Sequence, residues 1–140
     1  MSPLTDDPAL FAEDMLAGFC DLFPGHVRQV PGGVVTATPE PGTVAVVVGG
    51  GSGHYPAFCG IVGPGLAAGA VVGNVFTSPS TADAVSVARE CAGPAGAVLL
   101  TGNYAGDVMN FTMAQDALTA AGIPTTYVVV TDDIAGSTSG

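Results

Sequence analysis

Apolar positions along this chain follow two different rhythms, and the alternation between them is the first clue to its fold. Phe11, Met15, Phe19 and Phe23 recur at a four-residue spacing, which puts them on one face of a helix packed on a core. Asp7 followed by Pro8 reads as an N-cap and first-turn pair. The spacing therefore predicts a helix from there to about Phe23, closed by Pro24-Gly25. Val34–Thr38 reads as a short strand, Pro39–Gly42 as a turn and Thr43–Val48 as a buried strand, because its β-branched run is continuous. A helical segment is expected around Ala57–Val62, before the break at Gly63-Pro64-Gly65. Ala70–Val75 is the next strand, Phe76–Ser80 a loop, and a helix capped by Ser80 or its neighbour runs to about Cys91. Ala97–Leu100 is a strand, Thr101–Gly106 a loop, Asp107–Ala121 a helix and Tyr127–Val130 a last strand.

Strands that alternate with helices predict an α/β fold, a mostly parallel sheet with helices on both faces. Four of the strands run into polar, glycine-containing or acidic loops, at Gly49–His54, Gly73–Ser80, Gly102–Asp107 and Thr131–Asp133. Ligands in open α/β sheets bind outside the carboxyl ends of the strands. The four loops are accordingly expected to meet at one cleft. No linker or tandem repeat divides the chain, and Ile134–Gly140 reads as a loop cut short, so a truncated domain is expected over residues 1–140.

The chemistry concentrates in the first of these loops, Gly-Gly-Gly-Ser-Gly-His at Gly49–His54. Glycine tolerates φ > 0 and lets a backbone approach a ligand closely, so Gly49, Gly50, Gly51 and Gly53 are expected to turn sharply and offer N–H groups to a small oxygen-rich ligand. His54 adds a side chain able to give or take a proton beside that cradle. The loop is not a dinucleotide fingerprint, because His54 stands where a third glycine is needed and Asp83 comes too late for the ribose carboxylate. It is not a Walker A loop either, since no Gly-Lys-Ser/Thr occurs. Asp107 reads as an N-cap for its helix, as a general base aimed into the cleft, or as both at once. His26 reads as a surface residue, and Asp132 with Asp133 as a solvated turn or an interdomain contact rather than a metal site.

Composition narrows the classes of function. The chain has 140 residues, two arginines, no lysine and twelve acidic residues, giving a net charge of −10. That balance excludes nucleic acid as a partner, because phosphate neutralisation supplies most of that affinity. It also means that any phosphoryl transfer must draw its cations from metal ions or another domain. No apolar run reaches the roughly 20 residues of a membrane helix, and the acidic start is unlike a signal peptide. Cys20, Cys59 and Cys91 lack CxxC spacing and read as thiols in a reducing cytoplasm.

With these residues assembled, the chain resembles the substrate-binding (K) domain of the dihydroxyacetone kinase family. The resemblance rests on GGGSGH-x-P-A at Gly49–Ala57, G-x-V-F-x-S-P-S at Gly73–Ser80, N-Y-x-G-D at Asn103–Asp107 with Asn110-Phe111, and D-D-I at Asp132–Ile134. It implies an N-terminal part of such a domain, in an enzyme that phosphorylates a primary hydroxyl of a short-chain ketose. It further implies that Gly50, Gly51, Ser52, Gly53 and His54 hold the sugar's oxygens and that Asp107 accepts the hydroxyl proton. A second histidine that binds the carbonyl covalently would lie beyond Gly140. ATP and Mg²⁺ are implied on a separate nucleotide-binding (L) domain or subunit, with none bound by this part; a phosphotransfer protein is the donor in some members. A cytoplasmic homodimer is also implied. A ketose-sensing module of the same fold is the alternative, and a lipid- or sugar-binding α/β domain a more distant one. Two departures bear on the substrate. Tyr55 stands where dihydroxyacetone members carry Glu, and Gly102 where they carry Lys, so of dihydroxyacetone and a tetrulose such as erythrulose, the tetrulose is the first candidate.

Overall fold

Gly32, at φ +89°, turns the chain between two short antiparallel strands, β1 (Val27–Val30) and β2 (Gly33–Thr36). This hairpin edges a six-stranded sheet in the computed structural model, which describes residues 7–132. The other strands are β3 (Ala45–Gly51), β4 (Gly69–Gly73), β5 (Ala97–Gly102) and β6 (Thr125–Val130), in the spatial order β1-β2-β4-β3-β5-β6. β4, β3, β5 and β6 are mutually parallel, and β2 joins β4 antiparallel. The fold is thus α/β with a parallel core, as the alternation predicts. β1 escaped the sequence reading: Val27 and Val30 are buried but Arg28 and Gln29 between them are exposed, so the segment shows no alternation.

Among the described residues three helices pack on the sheet, α1 (Phe11–Leu22), α2 (Thr81–Cys91) and α3 (Ala105–Ala120). Asp7 does cap the start of the first, through a 3₁₀ turn at Pro8–Leu10 whose Ala9 N–H donates to the Asp7 carboxylate. α2 opens with a reciprocal box in which Ser80 Oγ accepts from the Asp83 N–H and the Asp83 carboxylate accepts from the Ser80 N–H, satisfying two donors that a helix start leaves orphaned. α2 and α3 share one face of the sheet, burying Val87, Leu118 and Phe111 against Val47, Leu99 and Val71. α1 lies on the other face, mainly over β1 and β2, with Leu16 buried and Met15 and Phe19 partly so. The predicted four-residue stripe is only half right, since Phe11 and Phe23 remain 39% and 44% exposed. The expected helix at Ala57–Val62 is absent. That stretch is turns with a single 3₁₀ turn at Cys59–Ile61, since Pro56, Gly60 and the Gly63-Pro64-Gly65 run leave too little chain for helix nucleation.

Candidate functional site

The connection from β3 leads to β4 on one side, and the next strand, β5, lies on the other side of β3. The end of β3 is therefore a topological switch point, where α/β sheets open a crevice. The glycine loop occupies that point. Three loops meet there around a cleft of about 620 Å³ bordered by Gly51, Gly53, His54, Ser78, Tyr104 and Asp107, among others. A more apolar lobe of about 450 Å³ adjoins it, sharing His54, Tyr104 and Asp107 and adding Phe58, Ile61, Leu100 and Val130. The fourth expected loop contributes less. Asp132 is exposed and borders neither space, and Asp133 and Ile134 lie outside the described residues.

The glycines do a different job from the one their conformational freedom suggests. None of Gly49, Gly50, Gly51 and Gly53 has positive φ, and the first three continue strand β3. What they lack is room. A Cβ on Gly49 would lie 2.5 Å from Phe111 Cζ, one on Gly50 2.5 Å from the Phe58 ring, and one on Gly53 2.5 Å from the Val75 carbonyl oxygen. Nor do they form an open row of donors. The Ser52 N–H donates to the Asn74 carbonyl and the Gly53 N–H to the Val75 carbonyl. The small residues thus let the loop after β3 dock against the loop after β4. Gly51, Gly53 and His54 face the cleft, while Gly50 and Ser52 are buried behind it.

His54 ends a 3₁₀ turn (Ser52–His54) and is exposed toward the cleft. Its ring lies edge-on to Phe58 at 5.8 Å and tilted against Tyr104 at 6.3 Å, so two aromatic walls hold it. Tyr104 in turn lies where Gly102 has no side chain, its ring 3.1 Å from the place of a Cβ.

Of the readings open to Asp107, the structure does not bear out that of an N-cap. α3 starts at Ala105 with Tyr104 as N-cap, so Asp107 is inside the first turn and does not cap the helix. It is 7% exposed, and its Oδ1 has no hydrogen-bond partner among the described residues, as is true of Ser52 Oγ. Leaving a carboxylate oxygen buried and unpartnered costs free energy that folding must offset. A carboxylate bordering a cleft in that state is a ready acceptor for a ligand hydroxyl. Below it, Tyr127 Oη and Thr101 Oγ1 are 2.6 Å apart. Burial raises the Tyr127 phenol's pKa, the bond to Thr101 opposes this, and the charge of Asp107 adds to the rise.

Asn110, one helical turn beyond Asp107, also borders the cleft. Its amide nitrogen donates to the Pro79 carbonyl at 2.9 Å and to Ser78 Oγ at 3.3 Å, fixing the loop after β4. The sequence marked Asn110 only as part of a motif, although its spacing from Asp107 puts both on one helix face. No arginine borders the cleft, and Arg28 is paired with Glu90 at 2.9 Å elsewhere on the molecule. Among the described residues no cluster of three or more His, Cys, Asp or Glu is placed to hold a metal ion, and no helix is long and apolar enough to cross a membrane.

The family model of the Dak1 domain matches residues 17–140. A D-erythrulose kinase from Mycolicibacterium smegmatis is 62% identical over 141 aligned residues, covering 100% of this chain and 24% of the relative. An L-erythrulose kinase from Pectobacterium atrosepticum is 51% identical over 138, covering 98% of this chain and 23% of the relative. The chain thus spans about a quarter of the length of these relatives. The crystal structure of the dihydroxyacetone kinase from C. freundii in complex with AMP-PNP and Mg²⁺ superposes with a TM-score of 0.87 at 32% identity, covering 95% of this chain and 26% of that one.

Proposed function

This chain belongs to the Dak1 domain family, and from that premise we propose that its cleft is the ketose-binding part of a kinase acting on a short-chain ketose. One observation carries the reading: a buried carboxylate, Asp107, with an unpartnered oxygen bordering a cleft that also holds His54. Asp107 takes the proton from the primary hydroxyl as that oxygen attacks the phosphoryl group, the role of a positioned general base. His54, held between Phe58 and Tyr104, gives or accepts a hydrogen bond at a second sugar oxygen. Gly51 and Gly53 bring backbone to the edge of the same cleft.

Phosphoryl transfer needs cations around the transferring group. The cleft residues do not fit that task, since none is Lys or Arg. Nucleotide and Mg²⁺ accordingly belong to a separate nucleotide-binding domain or subunit that meets the open cleft, and no step on them is assigned to this chain. The homodimer and the cytoplasmic location implied by the family belong to the same reading.

The substrate is a tetrulose. Two relatives with 62% and 51% identity are erythrulose kinases, whereas the dihydroxyacetone kinase is 32% identical. Gly102, with no side chain, and the Tyr104 ring resting over it shape the lobe where an extra hydroxymethylene would lie. The test is made on the full-length protein. Erythrulose is expected to be phosphorylated with a higher kcat/KM than dihydroxyacetone, and a clear preference for dihydroxyacetone would refute the assignment. Asp107→Asn is expected to lower turnover by about 10²–10⁴-fold, the usual worth of a general base, while ketose binding persists. Full turnover in that variant would remove Asp107 from the mechanism.

A further inference from the structure

Asp107, Phe111 and Gln115 are spaced four apart on α3 and so share one helix face. That face meets a single tyrosine of β6. Gln115 Oε1 accepts from the Tyr127 N–H at 2.6 Å, and Phe111, wholly buried, stacks on the Tyr127 ring at 5.9 Å. The ring thus follows the stripe from Gln115 past Phe111, with its hydroxyl toward the Asp107 end, where the charge of Asp107 acts on the phenol. There the hydroxyl meets Thr101 of β5, whose Oγ1 is 2.6 Å from Tyr127 Oη. Thr101 is 2% exposed and borders the apolar lobe, as do Asp107 and the titratable side chains of His54 and Tyr104. Tyr127 borders neither space, so it stands behind the site rather than in it.

Each hydroxyl of this pair has one proton to give and accepts through its oxygen. Thr101 Oγ1 also lies 3.0 Å from the Gly102 carbonyl oxygen, to which it can donate. When it does, the short contact requires Tyr127 to donate to Thr101, and the phenol turns only lone pairs toward Asp107. When Thr101 donates to Tyr127 instead, the phenol proton is free to face Asp107. The first arrangement suits a neutral carboxylic acid and the second a carboxylate. Such a dipole acts strongly in a buried site, where little water screens it. Asp107 Oδ1 has no hydrogen-bond partner among the described residues, so no direct bond at that oxygen competes with the influence of the pair.

We propose that Thr101 and Tyr127 are positioning residues for the general base: their hydroxyls turn together as Asp107 passes from carboxylate to carboxylic acid. The pair thereby stabilises the base on both sides of the proton transfer. No proton leaves either hydroxyl, and the ketose proton goes to Asp107 alone. The proposal rests on the kinase reading for the role of Asp107, whereas the coupling of the pair to that carboxylate does not.

Two measurements on the full-length protein test this. A fluorotyrosine placed at position 127 alone reports its own ionisation by fluorine NMR, with no ketose or nucleotide present. Burial raises the Tyr127 phenol's pKa, the bond to Thr101 lowers it and the Asp107 charge raises it. Asp107→Asn is therefore expected to move the ionisation to lower pH, and Thr101→Val to higher pH. A signal unmoved by Asp107→Asn would overturn the proposal. The second measurement is steady-state kinetics with erythrulose. Tyr127→Phe keeps the ring on Phe111 and leaves Thr101 its bond to Gly102. It is expected to lower kcat about tenfold, the upper end of what one hydrogen bond is worth, with KM within about twofold of the unaltered enzyme. Thr101→Val should lower kcat as well, and Thr101→Ser should restore it. A raised KM with unchanged kcat in Tyr127→Phe is the mark of a merely structural tyrosine and would also overturn the proposal. Full turnover in Asp107→Asn would refute the kinase reading instead, and the NMR signal tells the two failures apart.

Discussion

Gly49 and Gly50 are adjacent in β3, yet they face different worlds. Gly49 looks toward α3, where the ring of Phe111 is wholly buried and stacked on Tyr127 at 5.9 Å. Gly50 looks toward Phe58, which is only partly buried and edges the His54 ring. The first side is a finished core beneath α2 and α3, where close packing leaves nothing free to move. The second is less completely covered, and its Phe58, Ile61 and Val130 contribute to the lining of the site. The packed core belongs to one face of the sheet, and the cleft opens at the strand ends, where Asp107 from α3 on that face meets His54 and Phe58 from the other.

The largest effects that could break this contrast come from emptying each face in turn. Phe111→Ala is expected to cost about 3–5 kcal/mol, as for large-to-small changes in packed cores. Val128→Ala in this chain should cost about 0.5 kcal/mol or less, in line with surface substitutions. Urea denaturation followed by far-ultraviolet circular dichroism measures both. Comparable losses would mean that the two faces are equally closed.

Filling the glycines is the next largest test. Gly49→Ala drives a methyl group against a ring that cannot retreat, and should cost about 2–3 kcal/mol, the upper part of the overpacking range. Gly50→Ala meets a ring with space beside it and should cost about 1 kcal/mol. Its main effect falls on function, because a displaced Phe58 releases one wall of His54, so KM for the ketose should rise while the fold persists. Phe111→Leu added to Gly49→Ala should recover part of the loss, since the two share one contact. A Gly50→Ala protein less stable than Gly49→Ala would reverse the assignment of the faces.

These glycines also mark how far the sequence could be read. The strand-to-loop alternation, the Ser80 cap and the convergence of His54 with Asp107 were legible, because each follows from local pattern plus the rule that sites open at strand ends. The reason for the glycines was not legible. It lies in Phe58, Val75 and Phe111, which are distant in sequence or out of register with the loop, and local spacing suggests only conformational freedom. The strand at Val27–Val30 was hidden for a similar reason: its pairing with β2 is set by the turn at Gly32, while its own residues carry Arg28 and Gln29 outward. That Asp107 does not cap α3 was hidden too, because the helix starts at Ala105, two residues earlier than the pattern suggested.

A smaller effect is expected where α3 ties down the loop after β4. Asn110→Ala removes the bonds to Pro79 and Ser78 and leaves the Pro79 carbonyl without that donor. The cost should be about 1–2 kcal/mol, with a rise in KM because Ser78 borders the cleft. Asn110→Asp keeps the size but cannot donate, so it should resemble the alanine variant. If it behaves as wild type, the hydrogen bonds do not hold the loop.

The finest comparison is between thiols on the two faces. Cys91, at the end of α2 on the closed side, has its pKa pushed up to about 12 by burial, with Arg28 opposing and Glu90 reinforcing the shift. Cys20, on α1 of the open side, is raised chiefly by burial, with smaller contributions from Cys59 and Asp21. Both are partly exposed, so access alone predicts similar rates of alkylation. Thiolate content predicts that Cys20 reacts first near pH 8.5 and that Cys91 lags until the medium is far more alkaline. The sign for stability follows from linkage. The neutral thiol is the favoured form of Cys91 in the folded chain, so its contribution is full below the unfolded value of 9.0 and is lost as pH rises toward about 12. Cys91→Ala should remove that part of the alkaline decline while leaving stability near neutrality changed only by the lost packing. An unchanged alkaline limb in Cys91→Ala would show that this thiol is not held neutral by the closed face.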